Sequence, residues 1–128
     1  RRGYHVLRAY KQSKLANVLF SAEFNRRVAR TSPVRAYVAD PGLVNTEIGL
    51  KGTQGLARMV WGRRRLDGVA PIDGAKTVVF LAADSSVEGS EHLYWKDCRP
   101  LQPSRYALRE DEAARLWELS ARLCGMEA

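Results

Sequence analysis

Leu15, Val18, Leu19 and Ala22 recur at intervals of three and four, so they stack along one side of a helix predicted from about Val6 to Ala29 and ended by Thr31-Ser32-Pro33. Val34 to Ala39 then reads as a short β-like run. A helix of that length feeding a strand is the second half of a β-α-β unit, which implies a parallel sheet. From Glu47 to Gly68 the pattern loosens: five glycines interrupt a short amphipathic piece, Leu56 to Trp61. Pro71 to Ala83 predicts a well-formed helix with proline at its start and Asp84-Ser85-Ser86 as its exit. His92 to Trp95 reads as a second strand, and Asp97 to Ser104, with two prolines, as a loop. The last element is an amphipathic helix from about Glu110 to Cys124, with Leu116, Leu119 and Leu123 on one face and Gly125 as terminator. Two readable strands among helices make an α/β chain, expected here as one partial domain over residues 1–128.

The first helix carries chemistry as well as periodicity. Tyr10 and Lys14 are four apart and share a face, so the ammonium can approach the phenol without any long-range accident of folding. A phenol titrates at about 10 in water, and working near neutrality needs about 4 kcal/mol of preference for its charged form; a neighbouring cation acts in that direction. A phenol so tuned exchanges a proton with a substrate oxygen, as a carbonyl reductase or alcohol dehydrogenase requires. An exposed tyrosine beside an exposed lysine is the plain alternative. Asn17 and Ser21 continue the same face. Beyond the first strand, Asp40-Pro41-Gly42-Leu43-Val44-Asn45-Thr46 lies at a strand's carboxyl end, where parallel sheets bind ligands. Glycine there lets backbone approach a ligand closely, although an ordinary strand-to-loop turn has the same composition.

The series Tyr10-x-x-x-Lys14, helix, strand, Pro41-Gly42-x-Val44-x-Thr46 resembles the carboxyl-terminal half of a short-chain dehydrogenase/reductase. Ser13 to Phe20, together with Tyr94-x-Lys96-Asp97-Cys98, is similar to the retinol-dehydrogenase-like branch. The resemblance runs from about Tyr4 to Gly125. It implies a Rossmann-like doubly wound parallel sheet, incomplete in this chain, and an NADP- or NAD-dependent oxidoreductase. Tyr10 would be the general acid in carbonyl reduction and the general base in alcohol oxidation. Lys14 would favour the phenolate and hydrogen-bond the nicotinamide ribose. Pro41, Gly42, Val44 and the Thr46 hydroxyl would touch the cofactor, and Met59, Val60 and Trp61 would form a lid over an apolar substrate such as a retinoid, steroid or lipid aldehyde. A surface helix is the alternative reading of residues 47–68. The glycine-rich turn and active-site serine of the family have no room before Tyr10, so the chain is expected to be a fragment, inactive alone, or a non-catalytic form that binds a homodimer partner or a full-length relative.

Composition narrows the classes. A net charge of +7 invites a nucleic-acid reading, but the arginines are scattered, with clusters at Arg1-Arg2, Arg26-Arg27-Arg30 and Arg63-Arg64-Arg65, and no nucleic-acid module surrounds them. Solvated helix faces are the expected role. Cys98 and Cys124 stand 26 positions apart with His5 and His92 isolated, a pattern that holds no metal-ligand spacing and fits reduced thiols. No apolar run reaches the length of a membrane span and no targeting signal is readable. An intracellular site, cytoplasmic or associated with the endoplasmic reticulum, is expected, with any membrane association through a segment upstream.

Overall fold

The structure is a computed structural model that describes residues 5–28, 31–46, 55, 59, 62–63 and 65–126. In chain order its elements are helix α1 (Val6–Val28), strand β1 (Val38–Asp40), a 3-10 turn (Arg65–Asp67), helix α2 (Pro71–Ala83), a second 3-10 turn (Ser85–Val87), strands β2 (Tyr94–Lys96) and β3 (Arg99–Pro100), and helix α3 (Glu110–Leu123). The strands form a mixed sheet in the order β1-β2-β3, β2 and β3 running antiparallel. This α/β arrangement fits part of a Rossmann-like fold. The chain divides into two compact units, one of Arg1–Val38, Glu91–Tyr94 and Leu101–Ala128, the other of Ala39–Ser90 and Trp95–Pro100.

In the first unit α1 packs on α3. The apolar stripe of α1 behaves as its spacing dictates: Val18 and Leu19 are buried, and Leu15 and Ala22 are half-buried. The matching face of α3 departs from expectation. Leu116 is half-buried, but Leu119 and Leu123 are 46% and 79% exposed, whereas Ala113 and Ala121 are buried. Residues 113, 117 and 121 make one row at helical spacing. Trp117, midway between the alanines, carries ring contacts with α1: its ring stacks on Phe20 at 4.9 Å and meets Phe24 at 6.5 Å. Such pairs add about 0.5–1.5 kcal/mol beyond their buried area. At the end of α3, Gly125 takes φ +68 while Met126 N–H donates to the Ala121 carbonyl at 2.9 Å, the left-handed stop read from the sequence.

Glu23 sits in the same buried row as Leu19, one turn on, and is 1% exposed. A buried carboxylate is costly unless paired. Here Arg26 donates from Nε to Oε2 at 2.8 Å and from Nη2 to Oε1 at 2.7 Å, and Arg27 Nε donates to Oε1 at 2.6 Å. The Arg27 guanidinium also lies 5.2 Å from the Trp117 ring centroid. Two of the clustered arginines are thus tied to a buried acid and are not simply solvated.

The strands are shorter and differently placed than the sequence pattern predicts. Residues 34–37 are not strand, because the Asn25 side chain takes both polar groups of Ala36: Ala36 N–H donates to Oδ1 at 2.7 Å and Nδ2 donates to the Ala36 carbonyl at 2.8 Å. Ladder pairing starts only at Val38, whose N–H donates to the Leu93 carbonyl at 2.8 Å. The second strand is shifted to Tyr94–Lys96, and the expected loop contains a third strand. Asp97 and Cys98 join β2 to β3 at φ 50 and 58, the two left-handed residues of a tight hairpin turn. The usual Asn-Gly signature of that turn is absent, which hid the hairpin. In the second unit Trp95 is buried and its ring meets Phe80 of α2 at 5.9 Å, while Cys98 N–H donates to the buried Thr77 hydroxyl at 3.2 Å.

Burial by itself raises the pKa of Glu23, but the hydrogen bonds and charges of Arg26 and Arg27 outweigh it and hold the carboxyl below its ordinary 4.5. Because the folded value is the lower one, ionised Glu23 favours the fold. Its contribution is complete above about pH 4.5 and is lost as the pH falls through the folded value. Glu23→Gln is expected to cost about 1–3 kcal/mol at pH 7, and less as the pH drops below 4. Urea unfolding of both proteins across that range checks it. A difference that stays constant with pH would contradict the role given to the ionised carboxylate.

Candidate functional site

The exposed end of α1 carries the first group. Helical geometry brings Tyr10 and Lys14 onto one face, with Lys14 Nζ 5.4 Å from the Tyr10 ring centroid, inside cation–π range. Tyr10 is 57% exposed, and Lys14 is exposed beside it. The ammonium rests over the ring, and its flexible four-carbon stem allows it to reach toward either the hydroxyl or a ligand oxygen. Between them, Ser13 folds back, its hydroxyl donating to the Tyr10 carbonyl at 2.8 Å. A shallow groove of about 350 Å³, lined by Leu7, Arg8, Lys11, Gln12 and Leu15, runs along the same turns.

The second group lies in the other unit, in the loop after β1. Gly42 adopts φ +68, and its N–H donates to the Asp40 carboxylate at 2.8 Å, so Asp40, Pro41 and Gly42 form a tight turn at the strand's end. A Cβ at Gly42 would meet nothing within 4 Å; the constraint there is the backbone angle. Val44 pairs with Val69 in an isolated parallel bridge: Asn45 N–H donates to the Val69 carbonyl at 2.9 Å, and Val69 N–H donates to the Leu43 carbonyl at 2.9 Å. Thr46 N–H turns back onto the Val44 carbonyl at 2.9 Å. The amides of Gly42, Asn45 and Thr46 are therefore engaged within the loop. The side chains of Leu43, Asn45 and Thr46 are exposed.

Gly74, the fourth residue of α2, is buried. A Cβ there would lie 2.6 Å from Val44 Cγ2 and 3.2 Å from Cγ1. Glycine inside a helix is less stable than alanine by about 1 kcal/mol. Here it has a packing reason, since the Val44 methyls rest directly on the α2 backbone. Nothing in the local sequence pattern singled out Gly74, and only the fold reveals its neighbour. Glu23 was equally unmarked, although Arg26 and Arg27 at three and four residues on were a readable signal.

Of the expected lid residues, Met59 is 67% exposed, and Val60 and Trp61 lie outside the described residues. Among the described residues, no group of three or more His, Cys, Asp or Glu side chains is placed to hold a metal, and no helix is long and apolar enough to cross a membrane.

No family model matches the chain. Individual relatives do. It is 38% identical over 126 residues to dehydrogenase/reductase SDR family member 13 of Homo sapiens, an alignment covering 94% of this chain and 32% of that protein. It is 31% identical over 131 residues to retinol dehydrogenase 14 of Homo sapiens, covering 96% and 37%. With polyprenol dehydrogenase of Mus musculus it shares 35% identity over 126 residues, covering 98% and 38%. Over nearly its whole length the chain is similar to short-chain dehydrogenase/reductases, among them retinol dehydrogenases. It spans about a third of the length of the relatives it matches.

The geometry of the loop after β1 gives a direct check. Gly42→Ala should lower stability by about 1–2 kcal/mol through backbone strain alone, and Gly42→Asn by less, because asparagine tolerates the left-handed region. Chemical unfolding of the two variants measures this. Equal stability of Gly42→Ala and the parent would contradict the assigned turn.

Proposed function

We propose that this chain supplies the proton-transfer half of an oxidoreductase site, in which a hydride passes between NADP or NAD and an apolar alcohol or carbonyl compound. The observation that carries the reading is the Tyr10–Lys14 pair, an exposed phenol and an exposed ammonium held on one helix face. Its donor chemistry fits a nicotinamide ribose, whose hydroxyls accept from an ammonium and a phenol. Thr46 adds a hydroxyl, and Pro41, Gly42 and Val44 add close backbone and apolar contact. The nicotinamide, when bound, supplies or accepts the hydride.

Tyr10 performs the acid–base step. In reduction its hydroxyl donates a proton to the carbonyl oxygen of the substrate, and in oxidation the phenolate takes the proton from the alcohol. Lys14 stabilises the negative charge that develops on the phenol oxygen and orients the ribose beside it. The names of two relatives, retinol dehydrogenase 14 and polyprenol dehydrogenase, support an alcohol or aldehyde on an apolar isoprenoid frame as the substrate class.

In the intact protein, Tyr10→Phe should lower turnover by about 100-fold or more while the fold is retained, the usual cost of losing a positioned acid. Steady-state assays with an apolar aldehyde and reduced cofactor test this; turnover near that of the parent would remove Tyr10 from its role. The 128-residue polypeptide by itself is expected to bind NADPH and NADH weakly. Tyr10, Lys14 and Thr46 address only the nicotinamide end, and exposed Leu7, Ile72, Val78 and Val79 leave apolar helix surface without cover. Calorimetric titration beside a thermal melt decides the point. Low-micromolar binding with a cooperative melt would show that this stretch is sufficient.

A further inference from the structure

We propose that Gly74 is a positioning residue for the Pro41–Thr46 segment, and through it for cofactor binding; the proposal rests on the oxidoreductase reading above. Two restraints converge on Val44. Its backbone neighbours are clasped to Val69 by the Asn45 and Leu43 hydrogen bonds, both at 2.9 Å, and its side chain seats on α2 where Gly74 has no Cβ. Val69 lies two residues before the first turn of α2, and the Gly74 amide is already inside that helix, donating to the Ala70 carbonyl at 3.0 Å. Clasp and seat are therefore built from the same short stretch of chain. They set the height at which the loop leaves the end of β1, and so where the Thr46 hydroxyl stands.

A methyl at position 74 would sit 2.6 Å from Val44 Cγ2, closer than carbon atoms approach. Val44 is β-branched, with its second methyl only 3.2 Å away, so a rotation that relieves one contact brings the other forward. Relief comes from lifting Val44 away from α2 or from an unfavourable rotamer, and lifting Val44 carries Thr46 with it. Helix propensity pulls the opposite way, since alanine is the better helix former at this position. Keeping glycine where the helix prefers alanine is the mark of the contact.

The test compares four forms of the intact protein that carries this sequence: unmodified, Gly74→Ala, Val44→Ala, and Val44→Ala with Gly74→Ala. NADPH and NADH affinity is read by titration, and a thermal melt accompanies each. Gly74→Ala is expected to weaken cofactor binding about tenfold or more while its melt stays cooperative, in line with the sensitivity of sites to small misplacement. In the double variant, the added Cβ faces Val44's Cβ position at an ordinary 3.6 Å. Adding Gly74→Ala to Val44→Ala should therefore change affinity by less than about threefold, a strong departure from additivity. Affinity of Gly74→Ala equal to that of the unmodified protein would overturn the proposal. If Gly74→Ala does not fold, the Val44→Ala background carries the comparison, and a further tenfold loss there would overturn it. Failure of the unmodified protein to bind either cofactor would instead overturn the oxidoreductase reading, and the proposal with it.

Discussion

The register of α1 is the constraint from which the first unit follows. Over 23 residues one helix does two jobs at its two ends. In its carboxyl-terminal half, Val18, Leu19 and Glu23 are buried, with Trp117 of α3 stacked on Phe20 and the Glu23 carboxylate gripped by Arg26 and Arg27. In its amino-terminal half, Tyr10 and Lys14 stand exposed. A rigid helix carries the order of its anchored half forward to its free half, because each turn repeats at 3.6 residues and 5.4 Å. Placing the two side chains side by side thus needs no tertiary contact at the pair itself, and the surface around it is exposed.

A second kind of constraint operates in the loop after β1. There the chain is irregular, and irregular backbone must satisfy its polar groups one at a time. Asp40 takes the Gly42 amide, Val69 takes that of Asn45, and the Val44 carbonyl takes that of Thr46. The loop is held by hydrogen bonds at its edges and by the contact of Val44 on Gly74 in its middle. Backbone donors spent this way leave the exposed side chains as what the loop presents to solvent. Glycine at 42 and 74 serves two different ends: at 42 it allows a left-handed angle, and at 74 it makes room.

Much of this was legible in the chain. Helix α2 falls on its expected residues, Pro71 to Ala83, and α1 and α3 deviate only at their ends, because proline, Asp84 and Gly125 mark boundaries through local geometry. The pairing of Tyr10 with Lys14 needed only the helical repeat. Features set by partners distant in sequence were not legible. Asn25 diverts the residues before β1, a two-residue turn without glycine hides β3, and Ala113 and Ala121 rather than Leu119 and Leu123 are the buried residues of α3. Binary pattern predicts which residues are apolar, but the identity of the neighbour decides whether a leucine or an alanine is the one that fits.

The central claim is that Tyr10 and Lys14 carry the proton transfer that accompanies hydride transfer to an apolar carbonyl compound. The most direct measurement is isotopic: the intact protein is given reduced nicotinamide cofactor stereospecifically deuterated at C4, on each face in turn, with an apolar aldehyde, and the product alcohol is analysed by mass spectrometry. The expected result is one deuterium on the carbinol carbon from one of the two labelled cofactors, with formation of labelled alcohol suppressed when Tyr10→Phe and Lys14→Met are combined. Alcohol formed without deuterium from either face, or labelled alcohol formed equally fast by the double variant, would contradict it.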